Sequence, residues 1–197
     1  MGYAHYWSRP AHLDRQAFER FAQDCGRIVE TARAHRFALS GPGGVGEPVI
    51  NPAGVAFNGA EACGHEPRDL VAPWPTEDAA GVAHGETPLD QWFGGDLVDT
   101  RLCNGDCSYE DFWIDRDLGP RARSCGSRIS ELCKTGFRPY DVVVTACLLM
   151  LAYRFGDTIA LKSDGTSTHW YDGQHLCLLA LGILPPIPMA IGRAAAC

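Results

Sequence analysis

Apolar residues recur every three or four positions along the first third of the chain. Phe18, Phe21, Ala22, Cys25, Ile28, Val29 and Ala32 fall on one face of a helix. Asp14 stands where an N-cap belongs, so the spacing predicts a helix over residues 15–35. Residues 142–152 are apolar at nearly every position, which predicts a deeply buried helix with no solvent face. Pro139 suits its first turn and Gly156 its end. A third helical run, 170–181, stops at Gly182 and the prolines that follow.

Strand signals lie between these runs. Residues 2–8 are rich in Tyr and Trp and end before Pro10; residues 36–40 form a second candidate strand. Residues 48–50 and 54–57 read as two short strands joined at Asn51-Pro52, and Asn58-Gly59 carries a strong turn signal. Residues 158–163 alternate in polarity and run into an Asp164-Gly165 turn. From 60 to 130 Gly, Pro and Asp are scattered and no period survives, apart from a short candidate helix at 88–93. The expectation is a single α+β domain over 1–197. A small mixed or antiparallel sheet is covered by two to three helices, and residues 60–130 form an irregular insertion or lid.

Composition narrows the function classes. The net charge is −7 and there is no basic stripe, which argues against a nucleic-acid partner. The start of the chain lacks a secretory apolar region, and prolines interrupt the most apolar late stretch, so no membrane partner and a cytoplasmic location are expected. In that setting the nine cysteines read as free thiols. Cys103, Cys107, Cys125 and Cys133 form an irregular candidate zinc set, with His65, His169 and His175 as further candidate ligands. No organic cofactor is expected. Gly41, Gly43 and Gly46 satisfy G-x-G-x-x-G, but a strand rather than a helix follows, so the segment reads as a turn and not a dinucleotide loop.

Three polar-aromatic segments stand apart from ordinary core. Tyr3, His5 and Trp7 share one face of the first strand. Cys133 to Asp141 leads into the apolar helix, whose N-terminus favours anions. Lys162-Ser163-Asp164-Gly165 closes a strand, and the chain's only lysines are Lys134 and Lys162. The motifs GYxHYW (Gly2–Trp7), FNG (Phe57–Gly59), CKTxxxPYD (Cys133–Asp141) and SDG (Ser163–Gly165) together resemble a family of small uncharacterised bacterial and bacteriophage proteins. That resemblance implies no particular activity.

The leading expectation is a small enzyme acting on a polar, anionic small molecule such as a nucleotide or amino-acid derivative. His5 would serve as acid or base, Glu66 or Asp164 as its carboxylate partner, and Lys134 as the anion anchor. Tyr3, Tyr6, Asn58, Thr135, Arg138, Tyr140 and Asp141 would bind substrate, and Cys133 is a candidate nucleophile. The alternatives are a non-catalytic interaction or ligand-sequestering protein that uses residues 60–130, and a zinc-stabilised binding module.

Overall fold

The computed structural model describes residues 3–65, 103, 105–119, 124, 125 and 128–187; the helix expected at 88–93 lies outside them. Three α-helices are present among the described residues: α1 (Arg15–Ala34), α2 (Asp141–Phe155) and α3 (Tyr171–Leu181). In α1 the Asp14 carboxylate accepts from the Ala17 N–H at 2.8 Å, as a capping residue should. The buried face of α1 is the expected one, with Asp24 added to it. Asp24 is held by a two-pronged pair with Arg154 of α2, at 2.6 and 3.1 Å. Arg36, at φ 67°, turns the chain out of α1.

Helix α2 is buried at every position from Asp141 to Leu151. It packs against both α1 and α3. Gly173 of α3 permits the closest approach, because a Cβ there would lie 2.3 Å from Thr145 Oγ1. Pro139 precedes α2 in a turn rather than opening it. Helix α3 ends at Gly182, in the left-handed conformation, whose N–H bonds to the Leu178 carbonyl.

The fold is α+β, and among the described residues the strands form two small antiparallel sheets instead of one. The strands are β1 (Ala4–Arg9), β2 (Leu39–Ser40), β3 (Val49–Asn51), β4 (Gly54–Gly59), β5 (Phe112–Asp115), β6 (Ser124–Cys125), β7 (Arg128–Lys134) and β8 (Ala160–Ser163). The first sheet runs β6-β7-β1-β8; in the second, β4 pairs with β2, β3 and β5. The 39–59 stretch folds locally on itself, and β5 joins it. The sheets meet through Trp7, Phe112 and Phe57, whose rings lie 4.9–5.8 Å apart in successive pairs.

Two expectations are corrected here. Asn58-Gly59 is the end of strand β4, not a turn; the turn lies at Asn51, whose side chain accepts from Ala53 N and Gly54 N. The stretch 60–130 is also not wholly irregular, since it contains β5 and β6. Phe112 and Ile114 are buried and Trp113 is exposed, but four alternating residues are too few to stand out among Gly and Asp.

No described helix is long and apolar enough to cross a membrane.

Candidate functional site

Strand pleating divides the expected site residues. On the inner face of the first sheet, Tyr3, His5, Trp7 and Arg9 are all buried. His5 pairs in register with Cys133 and Ser163. Its Nε2 lies 2.7 Å from Asp141 Oδ1 at the start of α2, and its Nδ1 lies 3.0 Å from Ser163 Oγ. Thr135 donates to the same Asp141 oxygen at 2.5 Å, and the Gly165 N–H donates to Ser163 Oγ at 3.0 Å. His5, Thr135 and Asp141 have no exposed surface, and Ser163 has 3%.

Aromatic rings cover this line of groups. Tyr3 stacks on Phe137 at 3.6 Å, meets the His5 ring edge-on at 5.0 Å, and sets its hydroxyl over Gly165. Trp170 also meets the His5 ring edge-on, at 5.0 Å. Phe137 reaches Tyr3 through a left-handed backbone at φ 56°, after Gly136 at φ 55°, an unusual conformation for an aromatic residue.

Lys134, Tyr6 and Asp164 lie on the other face. Lys134 pairs with Ala4 in register, so its side chain points away from His5; its Nζ lies 3.3 Å from Glu110. Asp164 accepts from Ala4 N at 3.1 Å and from the Tyr6 hydroxyl at 3.4 Å. Partial burial, then the charge and hydrogen bond of Asp164, raise the Tyr6 hydroxyl pKa. The structure therefore does not bring His5, Lys134 and Asp164 into one cleft. The carboxylate on His5 is Asp141, which the sequence reading placed among the substrate-binding residues. Glu66 lies outside the described residues.

Other expected binding residues join loops. Asn58 uses its whole amide: Nδ2 donates to Tyr109 O and Asp111 Oδ1, and Oδ1 accepts from Gly59 N and Tyr109 N. The Tyr140 hydroxyl donates to the Glu110 and Lys134 carbonyls at 2.7 and 3.1 Å. Burial pushes the Tyr140 pKa up. Arg138 is half-buried in the turn before α2, and its backbone N–H bonds to the Thr135 carbonyl. Asp111 also accepts from Gly43 N at 2.7 Å, and the glycine-rich segment leads through a short 3-10 turn to strand β3 rather than into a helix.

A second cluster is assembled at the far end of β4. Cys63 and His65 follow that strand, and Cys103 and Cys107 precede β5. Their ligand atoms all lie within 4.8 Å of one another. Cys63 Sγ is 3.3 Å from Cys103 Sγ, Cys107 Sγ is 3.4 Å from Cys103 Sγ, and His65 Nδ1 is 3.4 Å from Cys107 Sγ. Tetrahedral zinc with bonds of about 2.3 Å to sulfur needs sulfurs roughly 3.7 Å apart. The Gly105 N–H points at Cys103 Sγ at 3.3 Å, the kind of outer hydrogen bond that supports a ligating thiolate.

The surrounding backbone fixes both halves of the cluster. Cys107 N bonds to the Ala60 carbonyl, and Glu61 N bonds to the Gly44 carbonyl. A Cβ on Gly59 would sit 1.9 Å from the Cys107 carbonyl oxygen, so glycine is required for this approach. Burial raises the Cys103 and Cys107 thiol pKa values. Burial also acts upward on Cys63, but hydrogen bonds from the His65 backbone and from the Cys103 and Cys107 thiols outweigh it and lower that pKa.

The expected zinc set is therefore corrected. Cys103 and Cys107 belong to the cluster, but Cys133 does not: it is buried in β7, its Sγ facing the Glu110 carbonyl. Burial and the Asp141 charge raise its pKa, which also argues against a nucleophilic role. Cys125 lies in the β6–β7 hairpin of the first sheet, opposite Arg128. Cys63 and His65 take the two remaining places. The signal was a Cys-x-His pair ahead of Cys-x3-Cys, separated by a stretch too long for spacing alone to connect them.

No protein-family model, curated protein or solved structure matches this chain.

Proposed function

We propose that this protein is a zinc-organised interaction module. Cys63, His65, Cys103 and Cys107 hold a structural zinc ion that ties the turn after β4 to the segment entering β5. The four-donor cluster carries this reading. Three thiolates and one imidazole suit zinc, and four protein ligands leave no open position for metal-assisted chemistry. The metal would hold together the two chain segments that flank residues 66–102.

Metal analysis of the full chain, purified without chelators, tests it. The expected result is one zinc per chain, lost in Cys103→Ser and in Cys107→Ser. Removal of zinc by a chelator is expected to lower Tm by about 10 °C, as several kcal/mol should in a domain of this size. Wild-type protein that purifies folded and metal-free, and takes up no added zinc, overturns the reading.

The acid–base enzyme is a second reading, favoured by the line Asp141–His5–Ser163. It takes Asp141, not Glu66 or Asp164, as the carboxylate partner. The complete burial of His5 weighs against it, since a general base must reach the proton that it abstracts. His5→Ala separates the two. A folded variant lacking a turnover that the wild type performs supports the enzyme, and loss of folding supports a structural role.

A further inference from the structure

Resting on the zinc reading, we propose that Cys63 is a peroxide-sensitive thiol and that Cys103 is its resolving partner, so that oxidation releases the metal. The four ligands differ in their access to solvent. Cys103 and Cys107 are fully buried, whereas Cys63 is only partly buried. Cys25, Cys133, Cys147 and Cys177 are also fully buried. Among the seven cysteines whose side chains the structure describes, Cys63 is therefore the one that a small hydrophilic oxidant meets first. The Cys103 thiol is in sulfur–sulfur contact with it at 3.3 Å. A disulfide needs a bond of about 2.05 Å, so closure asks for a movement on the order of 1 Å.

The chemistry balances with a hydroperoxide as the oxidant. The Cys63 sulfur attacks one peroxide oxygen and the O–O bond breaks; Cys63 becomes a sulfenic acid, and the leaving oxygen takes a proton to give water or an alcohol. The Cys103 sulfur then attacks the Cys63 sulfur. The S–S bond forms, the S–O bond breaks, and the oxygen leaves as water after protonation. Two thiolates have given up two electrons, and the peroxide has been reduced. Zinc is left with Cys107 and His65, too few ligands to retain it.

The test uses the zinc-loaded full chain carrying Cys125→Ser and Cys197→Ser, with wild-type protein treated in parallel in case the double variant does not fold. Each is exposed to hydrogen peroxide; zinc release is followed with a chromogenic chelator, and disulfides are mapped by mass spectrometry. The expected result is one zinc released per Cys63–Cys103 disulfide, with rebinding after dithiothreitol and added zinc. Zinc release with a Cys103–Cys107 pair, or retention of zinc with Cys63 still reduced, overturns the proposal while leaving the zinc reading intact. Protein that holds no zinc before oxidation overturns both.

Discussion

Burial separates residues that the sequence treats alike. His5 and Lys134 were both candidates for chemistry, yet His5 has no exposed surface while the Lys134 side chain is 47% exposed and pairs with a Glu110 side chain that is 43% exposed. Exposed pairs contribute little, so Lys134→Ala is expected to cost under about 1 kcal/mol. Asp141→Asn removes the charge facing a buried imidazole, and the expected loss is about 3 kcal/mol. Urea unfolding of the two variants measures the contrast; equal losses would contradict the partition. Cys133→Ala makes the same kind of distinction for the metal. It leaves a small cavity in the core and is expected to keep one zinc per chain, whereas a fall in zinc content would restore Cys133 to the ligand set. The sequence singled out His5, Thr135 and Asp141 as members of polar-aromatic segments unlike ordinary core. It could not show their partners, since His5 meets Asp141 and Ser163 only after β1 has been threaded between β7 and β8.

Long periodic elements were legible and short ones were not. The stripe of α1 and the apolar length of α2 each repeat over several turns, so chance alternation cannot imitate them. The four residues of β5 carry two buried positions, a pattern that any loop can produce. Asn58-Gly59 misled for a related reason. The pair has turn chemistry, but Asn58 spends its amide on Tyr109 and Asp111, and Gly59 is needed for clearance from Cys107 rather than for a turn. Helix packing depends on a similar clearance at Gly173. In Gly173→Ala the new methyl would meet Thr145 Oγ1 at 2.3 Å and Ala146 N at 2.7 Å, with rigid helix behind both. The helices must separate, and the expected cost is about 2–3 kcal/mol, read as a lower urea midpoint with helical content retained. An unchanged midpoint would mean that α3 can shift without loss.

At the scale of the molecule, two centres of order adjoin, since Cys103 and Cys107 belong to the apolar cluster as well as to the candidate metal site. One is the apolar core, which gathers the three helices with Trp7, Phe57 and Phe112 from the two sheets. The other is the Cys63–His65–Cys103–Cys107 cluster, which joins the two chain segments flanking residues 66–102, beside strands that pair directly, β4 and β5. Loop closure costs conformational entropy, and a bound metal offsets it only locally. Removal of zinc is therefore expected to loosen one end of the second sheet while the helices persist. Amide hydrogen exchange can resolve this. In zinc-free protein the amides of Glu61 and Cys107, which bond to Gly44 and Ala60 beside the cluster, should exchange much faster. Those of α2 should change little, because its hydrogen bonds lie within the core. Between them, the Tyr109 amide on Asn58 serves as a gauge of how far the metal's influence reaches. If α2 loses protection together with the cluster, the fold is a single cooperative unit that depends on zinc. If only the cluster and its flanking turns respond, the metal maintains a local surface on a domain that its apolar core already holds together.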